Sequence, residues 1–98
     1  MKITHKSQFG GTFRLTSSLG KYPNGQIAIK LYDESDGLPY ATATVSVQEK
    51  LEACEVAIKN YSENVGILES LINAKVIDSP HRFIQSGFVN IPVCKLKS

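Results

Sequence analysis

Residues 55–77 read EVAIKNYSENVGILESLINAKVI, a short strand running into the one segment of the chain with helical periodicity. Val56 and Ile58 alternate inward in the strand, residues 56–60. Val65, Leu68, Leu71, Ile72 and Val76 then recur at spacings of three and four, which makes one apolar stripe. Gly66, Glu69, Ser70 and Asn73 fall outside it. Ile67 lies at the stripe's edge, where it either widens the buried face or marks a contact patch. Ser62 stands at the N-cap position, with a hydroxyl able to accept a first-turn N–H. Glu63 sets negative charge at the positive end of the dipole, and Lys75 sets positive charge in the last turn. Asp78-Ser79-Pro80 ends the helix, because proline disfavours α geometry in the residue before it. A helix of about 62–75 is too short to persist in water alone and must be held by packing. The expected fold class is therefore α+β: an antiparallel sheet of about five strands with this one main helix on one face.

Towards the N-terminus, Tyr40–Val47 places Ala41, Ala43, Val45 and Val47 on one face, with Tyr40, Thr42, Thr44 and Ser46 on the other. It pairs with Gln26–Tyr32, where Ile27, Ile29 and Leu31 share a face, across the loop Asp33–Gly37. Tyr22-Pro23-Asn24-Gly25 is a turn: Pro presets φ, and Asn and Gly tolerate positive φ. Thr12–Thr16 alternates around Phe13 and Leu15. Residues 1–11 are either a first edge strand, Lys2–His5, or a flexible arm. Gln48–Cys54 reads as loop or a single turn. Towards the C-terminus, Arg82–Ile84 is a short strand, Ser86-Gly87 a bend, and Phe88–Leu96 a final strand with Val89, Ile91 and Val93 on one face. Pro92 cannot donate to a ladder, so this last strand is expected at an edge or bulged.

Ninety-eight residues, 42% hydrophobic and 20% charged, suit one domain spanning 1–98 with a single modest core. The net charge is +2. Lysines cluster only at Lys2/Lys6 and Lys95/Lys97, unlike the concentrated patch of a nucleic-acid domain. No apolar run reaches the roughly 18 residues of a membrane span, and no signal-peptide apolar region follows Met1, so a cytoplasmic protein away from membranes is expected. Cys54 and Cys94 are expected as free, partly buried thiols.

Standard chemistry is missing from the pattern. His5, Cys54, His81 and Cys94 are in no paired spacing of the kind zinc sites use, so neither a metal nor a cofactor is expected. Asp78, Ser79 and His81 are the residue types of a triad, yet turn chemistry explains them better. Cys94 beside a histidine would make a thiolate pair, but its strand position marks it as core filling. The loop carboxylates Asp33, Glu34 and Asp36 lack calcium-loop spacing. What remains is a surface. Tyr22, Tyr32, Tyr40 and Tyr61 fall on the parity opposite to the apolar positions, suited to a protein contact or to stacking on bases. Lys59, Tyr61, Glu63 and Asn64 bring hydrogen-bonding groups to the helix start, a place suited to an anion. With Asn24 and Ile67, these form the candidate partner-binding set.

YPNGQIAIKL, GLPYATATVSV, EVAIKNYSENVGILESLINAKVI and SGFVNIPVCKL, in that order, resemble a family of short uncharacterised proteins carried by bacteriophages, plasmids and other mobile elements of gut and Gram-positive bacteria. The resemblance covers residues 12–97. Its most specific blocks are residues 22–25, residues 61–64 with Gly66, and residues 86–94. It implies accessory or anti-defence roles. Relatives carry Gly where this chain has Lys75, which puts a glycine-type helix C-cap in question here. The resulting expectation is a non-enzymatic protein that binds and modulates a host protein, in the manner of an anti-CRISPR inhibitor of bacterial defence. A nucleic-acid-binding or nucleotide-binding module is the alternative. Exposed strand edges commonly pair two-fold, so a homodimer is compatible with the sequence.

Overall fold

A computed structural model describes residues 2–97. Its seven strands are β1 (Lys2–Lys6), β2 (Thr12–Lys21), β3 (Ile27–Asp33), β4 (Pro39–Thr42), β5 (Glu55–Ala57), β6 (Arg82–Ser86) and β7 (Val89–Lys95). They form two antiparallel sheets, ordered β1-β2-β3-β4 and β5-β7-β6, rather than one sheet of about five strands. The residues after β4 link the two: Thr44 bridges Ile58, Lys59 N–H donates to Ala43 C=O, and Val45 N–H donates to Ala57 C=O. Where the backbone leaves β3, the Thr44 hydroxyl accepts the Ile29 N–H at 3.0 Å, so that donor is not orphaned. The radius of gyration, 12.7 Å, is that of one compact chain of this length.

Residues 2–6 form a strand, not an arm; Met1 lies outside the described residues. The pairing Ile3↔Leu15 and His5↔Phe13 carries Ile3 and His5 onto the buried face. The helix α1 (Ile67–Asn73) packs on β1 and is half the expected length. Gly66, at φ 94, breaks the run, so residues 62–64 are a separate 3-10 turn. A Cβ on Gly66 would meet the Lys6 carbonyl and the His5 ring as well as strain the backbone. That break rotates the apolar stripe. Val65 is 41% exposed, while Ile67, at 1%, is core and offers no contact patch. Leu71 and Val76 are buried as expected, with Leu68 and Ile72 packed at the margin.

Ser62 is not the cap, since it sits at φ 55 and no side chain caps the 3-10 turn. Asn60 takes that role: its Oδ1 accepts from Gly66 N–H at 3.1 Å and Leu68 N–H at 3.0 Å. At the other end Lys75 adopts φ 62. Val76 N–H donates to Leu71 C=O and Lys75 N–H to Ile72 C=O, both at 3.0 Å. These are the two bonds of a Schellman motif, made with lysine at the position where glycine is usual.

The core has two parts. Ile3, Leu15, Ile29, Leu31, Ile67 and Leu71 anchor the larger, between the four-stranded sheet and the helix. Val56, Ile58 and Cys94 join it from the second sheet. Ala57, Ile84, Ile91 and Val93 face the opposite way and form a smaller cluster under Val45, Val47 and Leu51. The expectation of a single core is corrected accordingly. Strand β7 is central, not an edge, despite Pro92. Pro92 lies one residue beyond the last β5 pair, Ala57↔Val93, and uses only its carbonyl, which accepts from Ile58 N–H at 2.9 Å. The missing N–H falls where the ladder has already ended.

Candidate functional site

Five of the nine candidate residues converge. The turn 22–25, β3, β4 with the residues that follow it, and the segment 59–63 enclose an open groove of about 570 Å3. Tyr22, Tyr40, Lys59, Tyr61 and Glu63 line it, joined by Lys21 and Lys30. Each side chain is positioned by its backbone. Tyr22 opens the turn closed by Gly25 N–H donating to Tyr22 C=O, and its hydroxyl donates to Thr44 C=O at 3.0 Å. Lys30 projects from β3 opposite Thr42. A bulge between Leu31 and Tyr32 in the β3–β4 ladder leaves Tyr40 as the extra residue. Its ring turns toward Phe13, at 5.0 Å, and His5, at 5.9 Å. Burial pushes the Tyr40 hydroxyl above its ordinary pKa.

Lys59 and Glu63 form an ion pair one helical turn apart, and the Lys59 ammonium stands 5.7 Å from the centre of the Tyr61 ring. The hydrogen bond between them raises the Lys59 pKa and lowers that of Glu63, so both stay charged at neutral pH. Lys21 and Lys30 form no ion pair among the described residues. The groove thus presents three lysines against one carboxylate, beside aromatic faces.

The other four candidates have different places. Asn24 is spent within the chain, donating to Ser46 Oγ and Val47 C=O. Tyr32 is half-buried on β3 outside the groove. Asn64 is buried and donates to Thr42 C=O at 2.7 Å, a structural tie. Ile67 is core. The helix start is no anion site, because Asn60 already occupies its N–H groups.

The histidines and cysteines do not gather, and among the described residues no group of His, Cys, Asp and Glu is placed to hold a metal. Both thiols are free: Cys54 is exposed, contrary to its expected burial, and Cys94 is buried. Burial pushes the Cys94 thiol up to about 11, which leaves it protonated and a poor nucleophile. His5 is 1% exposed, with Nδ1 2.8 Å from Ser70 Oγ. Ser70 also bonds the Gly66 carbonyl, tying β1 to the helix. Burial lowers the His5 pKa, which favours the neutral ring.

One further cluster lies outside the candidate set. Glu55 is 4% exposed, yet its carboxylate accepts from Arg82 Nε at 3.1 Å and Nη2 at 2.9 Å, and from Glu52 N–H at 2.8 Å. His81 Nε2 lies 2.6 Å from Oε2, the oxygen that also accepts from Arg82 Nε. These contacts, Arg82 first, hold the carboxyl down at about 2. His81 therefore belongs to a structural ion cluster, not to a triad with Asp78 and Ser79. The run Glu55-Val56-Ala57-Ile58 carried a signal, since a carboxylate opening an otherwise apolar strand needs a cation to pair with.

No helix among the described residues is long and apolar enough to cross a membrane. Compared with protein-family models, with curated proteins and with solved structures, the chain finds no match in any of the three.

Proposed function

We propose that this is a non-enzymatic binding protein that takes an acidic segment of a partner protein into the lysine- and tyrosine-lined groove. The observation that carries the reading is the convergence of Lys21, Lys30 and Lys59 with Tyr22 and Tyr61 in one open cleft. Tyrosine supplies rigid amphipathic area, and Lys21 and Lys30, in no ion pair among the described residues, attract carboxylates. The ionisable groups elsewhere support a role without chemistry. Glu55 is held too acidic for a general base at neutral pH, and Cys94 too basic for a thiolate. The resemblance to mobile-element proteins suggests a host protein as the partner and interference with a defence system as the outcome.

Affinity capture from host lysate, run in parallel with wild type and a Lys21→Glu/Lys30→Glu variant, tests it. Both lysines are exposed, so the variant keeps its fold. A protein retained in stoichiometric amount by wild type and lost by the variant is the expected result. Equal retention by both removes the groove from the interface.

The same cleft favours a second reading, single-stranded nucleic acid stacked on Tyr22 and Tyr61. It requires affinity for an oligonucleotide that falls steeply with salt. Binding weaker than about 1 mM at low salt rejects it.

A further inference from the structure

The two outer edges of the molecule are built differently. Strand β1 ends one sheet and β6 ends the other. On β6 the pairs are Arg82↔Val93, Phe83↔Pro92, Ile84↔Ile91 and Gln85↔Asn90. In an antiparallel ladder a residue's N–H and C=O point to the same neighbour. The Pro92 carbonyl accepts from Ile58, on the far side of β7, so Phe83↔Pro92 is a pair without mutual bonds. Parity then directs the N–H and C=O groups of Phe83 and Gln85 away from β7, to the open side.

Beyond Arg82 this open edge carries no charge. Residues 83–94 contain no Asp, Glu, Lys, Arg or His. Phe83 is 61% exposed, and Phe88, at the tip of the hairpin, is fully exposed. Arg82, at the start of the strand, is held within the chain by Glu55 at 2.9 Å and Glu49 at 3.9 Å. Strand β1 is the opposite case. Its sequence, KITHK, would set Lys2 against Lys6 in a two-fold pairing about Thr4, and lysines on an edge discourage such pairing.

We propose that β6 pairs with β6 of a second copy of this chain, antiparallel about a two-fold axis at Ile84, joining two three-stranded sheets into one of six strands. In that register Phe83 of each copy meets Gln85 of the other and exchanges both backbone bonds with it. Ile84 meets Ile84, Arg82 meets Ser86, and no like charges face each other. Phe88 comes level with Pro80 of the other copy. Both copies carry net charge +2, so they approach with least repulsion through an edge whose one charge, Arg82, is already paired with Glu55 and Glu49. Four aromatic rings and one added ladder bury on the order of 600–900 Å2, at the low end for a specific interface. The dimer is accordingly concentration-dependent, with a dissociation constant on the order of 100 μM.

Sedimentation velocity between about 10 μM and 1 mM tests this, over a range that brackets the weak-dimer regime. The weight-average mass rises from monomer towards dimer. Gln85→Pro deletes an open-edge donor while sparing the bonds to β7, and Phe83→Lys sets two cations at the interface. Each weakens self-association at least tenfold by these arguments, about 1.4 kcal/mol. Should Gln85→Pro lose its far-UV circular dichroism, Phe83→Lys decides, because that side chain is already in solvent. A wild type that stays monomeric at 1 mM, a dimer that both folded variants retain, or a monomer whose β6 amides instead shift on adding an extended heterologous peptide overturns the proposal.

Discussion

The four-stranded sheet and the three-stranded sheet reach stability in different ways. In the first, a single face is covered by the helix, and the larger cluster fills the space between them. In the second, β7 is buried on both faces: Cys94 joins the larger cluster, while Ile91 and Val93 join the smaller. The cover on the second face is not a regular element but the coil after β4, through Val45, Val47 and Leu51. One sheet leans on rigid packing, and the other on a draped segment plus the ion cluster at Glu55. The lesson is that a small chain can bury a strand on both faces without a second helix, provided a loop is tied down across it. Gln26 supplies that tie, donating to Val47 C=O and Glu49 C=O and accepting from Val47 N–H.

Matching cavities separate the two kinds of packing by the largest effect. Leu71→Ala leaves a void among fixed strands and helix, and should destabilise by about 4 kcal/mol in urea unfolding. Ile91→Ala empties the smaller cluster, where the coil can settle into the space, and should come nearer 2 kcal/mol. Equal losses would mean that the coil packs as rigidly as the helix does.

The two sheets were unequally legible for the same reason. Alternation in residues 26–32 predicted β3 correctly, because one buried face imposes period two. In β7, Pro92 argues for an edge or a bulge, and only the tertiary position of Ile58 shows that its missing N–H is not needed in a central strand. The helix was over-extended because the stripe from Val65 to Val76 spans a glycine whose left-handed backbone ends the periodicity. For the groove, Tyr22 and Tyr61 were legible from their parity, and Lys59 from its place beside the helix start. Lys21 and Lys30 carried no local signal, since their meeting depends on the β2–β3 hairpin folding back against residues 59–63.

Acid should separate the two sheets. His5, in the first, has a lowered pKa, so its contribution is complete above 6.5 and begins to be lost as pH falls below that value. Glu55, in the second, is depressed from 4.5 to about 2, so its contribution holds above 4.5 and is lost between there and 2. Allowing for solvent screening by way of the half-exposed Arg82 and His81, the Glu55 part is about 2 kcal/mol. Stability measured by urea unfolding across pH 7 to 2 should fall in two stages. Glu55→Gln should remove the lower stage and leave the upper one in place. An unchanged lower stage would assign the acid response to other carboxylates.

The smallest effects sit at the ends of the helix that covers the larger cluster, and they have opposite signs. Asn60→Ala strips the acceptor shared by Gly66 and Leu68, and should cost about 1 kcal/mol, whereas Ser62→Ala should be close to neutral. Lys75 is the reverse case, a side chain held at φ 62, where an L residue is strained by about 1 kcal/mol. Lys75→Gly relieves the strain but adds freedom to the unfolded chain, so the two terms partly cancel. Both Schellman bonds are backbone to backbone, so they survive the substitution. Relief should prevail because Lys75 is exposed and no ion pair to it exists among the described residues, leaving little side-chain contact to lose. A gain of about 0.5 kcal/mol in thermal unfolding is the expected result. A loss would show that the lysine stem, lying over the helix end, holds more than its backbone strain gives away.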